Sequence, residues 1–209
     1  SATSTVSVTV MDVNDNIPVF SETTYLSTLN DTDPVGTQLV IATATDPDIT
    51  SEYSTVTYSL TSVPDNGLFV INSSSGAVET TGLLVKSSGS HILTLSAFDG
   101  TNTGTATLSV TVMDTMAPVI SLNGDTIVTL EVRTSYSDAG AIASDTMDGE
   151  LTVSSLSTVN TEAVGSYTVT YRVSDASENA ADPVERTVNV VDTTAPVITL
   201  LGDEVTVTA

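Results

Sequence analysis

Three times along this chain, an alternating run of valines and small polar residues ends at an aspartate. The runs occupy residues 8–12, 110–114 and 188–192, at intervals about as long as a small domain. Nearly identical sequences follow the last two runs, APVISLNGD and APVITLLGD. Self-similarity at such offsets is typical of tandem domains. We predict the last strand of a preceding repeat in residues 1–12, whole repeats in residues 13–114 and 115–192, and the first strand of a following repeat in residues 193–209.

Hydrophobic periodicity indicates the fold class. Apolar and polar residues alternate in runs such as 40–44, 92–97, 108–112 and 167–173, as in strands with one buried face. Gly, Pro and Asp clusters separate the runs, and no segment shows the 3.6-residue period of a helix. The prediction is an all-β chain of tandem Greek-key β-sandwich (immunoglobulin-like) domains in a linear array.

The charge balance limits the partners. The 209 residues include 26 acidic and 4 basic side chains, a net charge of -22. Such a chain should repel nucleic acid and anionic membranes and attract divalent cations. Hydrophobic residues make up 40%, enough for a core, but no run approaches the ~20 apolar residues of a membrane span. Because no signal peptide is visible, we interpret the chain as a segment of a longer secreted protein, extracellular or at the cell surface.

The most informative segment is DVNDNIP, at residues 12–18. Two carboxylates and two carboxamides, from Asp12, Asn14, Asp15 and Asn16, crowd into five positions before a proline. Oxygen-only ligands are those that calcium prefers, and crowded acids need a neutralising cation. The segment follows an alternating strand at residues 6–10, so an ion site between two domains is the first hypothesis.

Further motifs follow the linker in order along the chain. They are DPD at 46–48, YSL at 58–60, FVI at 69–71, SGAV at 75–78 and AFDG at 97–100. Together with the linker at residues 12–20, these motifs match the signature of one family in its order, so residues 12–112 resemble an extracellular cadherin repeat.

The resemblance implies three calcium ions at the junction between consecutive repeats. The implied ligands are Asp12, Asn14, Asp15 and Asn16 from the linker, the Asn residues partly through backbone carbonyls, with Asp46, Asp48 and Asp99 from the domain. The family also uses the carbonyl of an Asn after the paired Asp, where this chain has SEY at residues 51–53. We expect one well-formed site, using Asn14, Asn16, Asp46, Asp48 and Asp99. The other two sites need carboxylates from a preceding repeat and should be weak or empty.

The opposite end of this repeat departs from the family. LVKS at residues 84–87 replaces an acidic loop, Asp31 replaces a first-strand Glu, and DTMAP at residues 114–118 lacks the linker core. We therefore expect no cadherin-type calcium cluster at residues 112–120. This junction is either flexible or packed around Val85 and Met116.

Residues 117–192 resemble bacterial-type immunoglobulin-like repeats of surface and secreted proteins. The matches lie at residues 117–125, 136–141, 144–151 and 164–175. GSYTV at residues 165–169 also predicts a tyrosine corner, with Val169 where an antibody domain has cysteine. Metal binding was considered for Asp145, Asp148 and Glu150, but a solvated turn with Gly149 at positive φ is favoured. Asp175 and Asp192 are further candidate ligands.

Catalysis finds no support in the sequence, so we expect no enzyme. Cysteine and tryptophan are absent, and His91, the single histidine, is predicted to be an exposed strand-end residue. The favoured function is a calcium-stiffened extracellular structural or adhesive rod segment of a larger protein or filament. The alternatives are a carbohydrate-binding module or a passive spacer of a secreted enzyme or adhesin. Neighbouring repeats or lateral assembly would provide protein partners, and Asn30 and Asn72 lie in N-glycosylation sequons.

Overall fold

The structure, a computed structural model, describes residues 2–63, 67–87, 89–199 and 202. The chain divides into two compact units, Ser1–Met116 (unit 1) and Ala117–Ala209 (unit 2). Every helix or strand found in the described residues is a β-strand, which confirms the predicted class. None of these residues forms a helix of the length and apolarity that crossing a membrane requires.

The strands of unit 1 form one large sheet and two smaller ones. The large sheet has the order β2-β9-β8-β5, a second has the order β3-β7-β6, and β1 pairs with β4. β2 runs parallel to β9, while the other pairs are antiparallel. The bounds are β1 Val19–Phe20, β2 Thr24–Asn30, β3 Gln38–Ile41, β4 Ala44–Thr45, β5 Thr57–Val63, β6 Phe69–Ile71, β7 Ala77–Thr80, β8 Gly89–Phe98 and β9 Thr103–Met113.

A single hydrophobic cluster joins the sheets of unit 1. The paired strands β8 and β9 bury alternate side chains, among them Leu95 and Leu108. Phe69 and Val78 enter the same cluster from the second sheet. Burying the inner faces of two sheets against each other is what makes a β-sandwich, so the alternating pattern of the sequence is explained by this core.

The strand predicted at residues 6–10 does not form. Val6, Val8 and Val10 are 82%, 80% and 91% exposed, and residues 2–18 contain no strand. A strand needs a neighbour for its backbone groups and a core for its apolar face, and none of the described strands pairs with this segment. At the other end, residues 193–199 lie outside strands, and residues 200, 201 and 203–209 lie outside the described residues.

Unit 2 is built from two sheets. One has the order β11-β16-β15-β14 and the other β10-β12-β13, and β11 runs parallel to β16. The bounds are β10 Val119–Leu122, β11 Ile127–Glu131, β12 Ala141–Asp145, β13 Gly149–Leu151, β14 Ser154–Ser157, β15 Gly165–Arg172 and β16 Val184–Val191. The Tyr167 hydroxyl donates to the Ala163 carbonyl at 2.9 Å, and Val169 is buried, which confirms the predicted tyrosine corner.

A charged side chain, Arg186 on β16, lies inside unit 2 and is 1% exposed. Its Nη1 forms an ion pair with Asp138 and donates to the Tyr171 hydroxyl at 2.7 Å. The other guanidinium nitrogens donate to three backbone carbonyls, those of Asn123, Asp125 and Gly140. The guanidinium is therefore fully occupied, which is the condition for burying a charge.

Tyr171 completes this buried network. Its hydroxyl donates to Asp138 at 2.7 Å, and its ring lies 5.6 Å from the guanidinium carbon. Burial, together with the hydrogen bond to the Asp138 carboxylate, raises the pKa of Tyr171 to about 12. The phenol therefore remains a neutral donor over the ordinary pH range.

The last strand of unit 2 leads into a hydrogen-bonded corner at Glu131. The hydroxyls of Thr193 and Thr194 donate to this carboxylate at 2.7 and 2.9 Å, and both backbone N–H groups add further bonds. These hydrogen bonds lower the pKa of Glu131 to about 2. The Thr193 hydroxyl makes the largest contribution, followed by the Thr194 hydroxyl.

We expect Glu131 to titrate at about pH 2 in the folded chain. Because its pKa is lowered by folding, its contribution to stability is present above about pH 4.5 and is lost as the pH falls towards 2. Carboxyl ¹³C NMR measures the titration directly. The double variant Thr193→Val, Thr194→Val should raise the pKa, whereas Thr193→Ser, Thr194→Ser, which keeps both hydroxyls, should not. An unchanged pKa in the valine variant would contradict the assigned cause.

Candidate metal centre

Three carboxylates of unit 1 meet where β4 and β8 end. Asp46 and Asp48 follow β4, Asp99 follows β8, and each offers an oxygen within 4.8 Å of those of the other two. Asp48 and Asp99 are 6% and 5% exposed, and Asp46 is half-buried. Like charges this close disfavour ionisation or require a cation, so the cluster is a candidate metal centre.

The loops around these carboxylates are locally ordered. The Asp48 N–H donates to Asp46 Oδ1 at 2.9 Å, and the N–H groups of Thr101 and Asn102 both donate to Asp99 Oδ1 at 2.6 Å. Burial raises the pKa of Asp99, but the N–H donors of Asn102 and Thr101 outweigh it, so this pKa lies below its usual value. Asp99 is thus held as a carboxylate, the form that binds a cation.

The linker residues Asn14 and Asn16 reach the same place. Asn16 Nδ2 donates to Asp48 Oδ1 in a short hydrogen bond, and Asn14 Nδ2 donates to the Asp99 carbonyl at 3.4 Å. The structure therefore brings together these two residues and all three domain aspartates of the sequence-derived ligand set.

The other two predicted ligands are placed differently. Asp12 Oδ2 accepts from the Thr50 N–H at 2.7 Å, and this bond is the main cause that lowers the pKa of Asp12. Asp15 is exposed and accepts from its neighbour Asn16 at 3.2 Å. Both lie on the linker, but neither belongs to the cluster of three carboxylates.

Two buried oxygens of the cluster have no hydrogen-bond partner among the described residues. They are Asp46 Oδ2 and Asp48 Oδ2. A buried carboxylate oxygen without a donor is costly, and oxygen-rich clusters of this kind suit a hard cation such as calcium. The residues present therefore fit a calcium ion.

Sequence reasoning missed one residue of this site, Asn102. Its Nδ2 lies within 3.3 Å of three oxygens, those being Asn14 Oδ1, the Asn16 carbonyl and Asp99 Oδ2. The available signal was its position three residues after Asp99 in a glycine-containing turn, where an amide is well placed to contact that aspartate.

Comparisons with known families assign both units. Residues 25–113 match the family described as the cadherin domain, and residues 120–190 match the bacterial surface protein Ig-like domain. The chain carries a cadherin domain followed by a bacterial-type Ig-like domain. The linker residues 12–16 precede the matched part of the cadherin domain.

The relatives are long cadherins. Human Cadherin EGF LAG seven-pass G-type receptor 2 is 37% identical over 137 residues, which cover 63% of this chain and 5% of that protein. Mouse Protocadherin Fat 4 is 33% identical over 164 residues, covering 76% of this chain and 3% of its own length. The chain thus spans a small fraction of the curated relatives it matches.

Solved structures agree on the fold. The extracellular cadherin domains 1-5 of Protocadherin Gamma B2 give a TM-score of 0.60 at 18% identity, covering 88% of this chain and 40% of that one. Mouse Cadherin-23 EC22-24 gives 0.55 at 22% identity, covering 88% and 67%. These structures show the fold, tandem β-sandwich domains, and the family match and sequence relatives support an extracellular repeat of the cadherin type.

The far end of the cadherin domain is organised around Asp31. This residue is 1% exposed, and its Oδ1 accepts from the Thr115 N–H at 3.1 Å and from the Thr115 hydroxyl at 2.6 Å. Leu84, in the segment that replaces the family's acidic loop, is fully buried in the core. The absence of a calcium cluster at residues 112–120 stays a prediction.

The prediction of an exposed His91 is wrong. His91 is 8% exposed, its Nε2 donates to the Ser87 carbonyl at 2.8 Å, and its ring packs edge-on to Phe69 with centroids 5.5 Å apart. The reason is register, because His91 lies two residues before Leu93 on β8 and so faces the core.

In the Ig-like domain, the acidic turn is ordered by its own backbone. Asp145 Oδ1 accepts from the N–H groups of Met147 and Asp148, and Gly149 has φ +75, as predicted for this turn. Asp145 is buried and not solvated, which corrects part of that expectation. Both carboxylate oxygens of Asp175 accept hydrogen bonds from Asn179, one from its backbone N–H and one from its side-chain Nδ2. Asp192 is exposed. Metal binding by Asp175 and Asp192 stays a prediction.

Proposed function

We propose that the cadherin domain is a calcium-stabilised repeat in which an ion, bound between the domain and its linker, residues 12–17, stiffens the junction with a preceding repeat. The observation that supports this most is a pair of buried oxygens, Asp46 Oδ2 and Asp48 Oδ2, for which the described residues provide no hydrogen-bond partner. The proposal places this chain as a calcium-stiffened segment of an extracellular rod.

The acids explain why a cation is needed. Two unit charges 4 Å apart repel by about 4 kcal/mol at an effective dielectric of 20. Asp46, Asp48 and Asp99 would supply side-chain oxygens, and Asn14 Oδ1 and the Asn16 carbonyl would join them, since both converge on Asn102 near Asp99. A bound calcium ion would neutralise the cluster and satisfy the two free oxygens.

One complete site in this chain is consistent with the placement of the linker. Asp15 is exposed, and Asp12 uses only its Oδ2 for the Thr50 N–H, so both have oxygens available to ions that a preceding repeat would complete. We propose residues 1–12 as the last strand of such a repeat. Their end, residues 5–12, nearly duplicates residues 107–114, which include most of the central strand β9.

Thermal unfolding in millimolar calcium and in EDTA tests the proposal. Calcium should raise the melting temperature of the cadherin domain by several degrees, because a ligand at 100 times its Kd adds about 2.7 kcal/mol. Asp48→Asn should abolish that rise. Asp33→Asn is the matched control, since Asp33 comes after the last residue of β2 and is not part of the carboxylate cluster. The new side chain can still accept from the Asn30 N–H.

An equal calcium response in Asp48→Asn and the parent would refute the ligand assignment. A parent that does not respond at all would favour the passive spacer. The carbohydrate-binding alternative gains nothing here, because each of the six tyrosines is buried or half-buried and none offers an exposed sugar platform. The absence of enzymatic activity stays a prediction.

Protein partners and glycans remain proposals. Neighbouring repeats, or lateral assembly with other copies, would provide the contacts of a rod segment. Both sequon asparagines are exposed, Asn30 at the end of β2 and Asn72 after β6. The Oδ1 of Asn72 accepts from the N–H groups of Ser74 and Ser75 at 3.0 Å, which leaves its nitrogen as the attachment atom.

A further inference from the structure

Asn102 occupies a position from which one side chain contacts two separate parts of the chain. It closes the tight turn between β8 and β9, where the Asp99 N–H donates to the Asn102 carbonyl and Gly100 has φ +103. Glycine at the first central position is what such a hairpin turn requires. The turn therefore fixes the backbone from which the Asn102 side chain projects.

Within the described part of the chain, the hydrogen-bond partners of the Asn102 amide nitrogen are three oxygens. This nitrogen lies 3.0 Å from Asn14 Oδ1, 2.7 Å from the Asn16 carbonyl and 3.3 Å from Asp99 Oδ2. Because all three neighbours are acceptors and the amide oxygen cannot donate, the nitrogen of the carboxamide must be the atom that points at them. Two of these oxygens belong to the linker, more than eighty residues earlier in the chain, and the third to a carboxylate of the metal centre.

We propose that Asn102 is a positioning residue that fastens the linker to the Asp99 loop and so sets the calcium affinity of the site. The inference rests on the proposed function for its calcium part. Its other part, linker order without calcium, follows from the hydrogen bonds alone.

The energetic reason is the entropy of the linker. Fixing the backbone of a residue costs conformational entropy, so ordering Asn14, Asp15 and Asn16 at the moment of binding would weaken the calcium affinity. Donation from Asn102 orders these residues beforehand and directs two linker oxygens towards Asp99. Preorganisation of this kind increases affinity without any contact to the ligand.

The test uses the whole chain with three variants. Asn102→Ala removes the donor, Asn102→Asp keeps the shape but can only accept, and Thr101→Ala changes the exposed neighbour in the same turn. Backbone ¹⁵N order parameters of residues 14–16 are measured in EDTA, and the calcium Kd is measured by calorimetry. Order parameters near 0.85 mark a rigid backbone and values below about 0.6 a flexible one.

We expect a rigid linker in the parent and in Thr101→Ala, and a flexible linker in both Asn102 variants. Asn102→Ala should also raise the calcium Kd about tenfold. A linker that stays rigid in Asn102→Asp would show that shape, and not donation, holds it, and would overturn the proposal. Unchanged calcium binding by Asn102→Ala would also overturn the proposal. Tighter binding would overturn it by showing that the Asn102 amide competes with calcium for the same oxygens. A parent that binds no calcium refutes the proposed function, while the order parameters still decide the role of Asn102.

Discussion

Replacing Arg186 by methionine is expected to destabilise unit 2 by about 3 kcal/mol. The change removes the ion pair to Asp138. It also leaves the carbonyls of Asn123, Asp125 and Gly140 without their hydrogen-bond donor. Losing one partner of a buried pair usually costs about 3–5 kcal/mol, and we expect the lower end because the Asp138 side chain is 27% exposed.

Urea unfolding followed by the amide NMR signals of β15 and β16 measures this loss. Arg172→Met is the matched control, because Arg172 is exposed on β15 and the substitution changes the net charge identically. The control should stay within about 0.5 kcal/mol of the parent. Equal losses in the two variants would mean that total charge, and not the buried network, is responsible.

Gly104→Ala is the second substitution for which we expect a large effect. A Cβ at this position of β9 would lie 1.7 Å from the Pro18 carbonyl oxygen and 2.8 Å from its carbon. Both atoms are backbone, so the end of the linker must shift. Overpacking of this kind costs about 1–3 kcal/mol, and a shift at Pro18 also displaces Asn16 from Asp48.

Unit 1 should therefore melt earlier in Gly104→Ala, and its gain in melting temperature from calcium should shrink. Gly82→Ala provides the comparison, because its Cβ would meet only the tip of the Leu68 side chain, at 3.1 Å. If the two variants showed the same melting temperature and the same calcium response, the close contact between the Pro18 backbone and Gly104 would not be needed for stability or for calcium binding.

Much of the site was visible in the sequence because it depends on local oxygen-rich motifs. Asp46, Asp48 and Asp99 each lie next to a strand end, and the strands carry them to one place. Asn102 was not visible, since a single asparagine in a turn does not reveal a contact with Asn14, far away in the chain. Only the pairing of β8 with β9 and the path of the linker bring the two together.

Alternation predicted the strands, but the predicted exposure of His91 was wrong, and the sequence led to no prediction for Arg186. His91 and Arg186 both occupy inward positions of β8 and β16, in step with Leu93 and Val188, yet their polarity suggests exposure. Their burial depends on partners contributed by other segments, Ser87 for His91 and Asp138 for Arg186. In contrast, residues 6–10 have the right alternation but no partner strand among the described residues, so they form no strand.

The two parallel strand pairs determine how each unit resists a pull on its ends. In unit 1, β2 and β9 pair over seven registered positions, and in unit 2, β11 and β16 pair over five. Tension that enters ahead of β2 or β11 and leaves after β9 or β16 would slide the two paired strands lengthwise past each other. All hydrogen bonds of the pair are then loaded in shear together, whereas an antiparallel hairpin pulled from its open end unzips one bond at a time. We therefore expect each unit to resist a pull directed along its parallel strand pair.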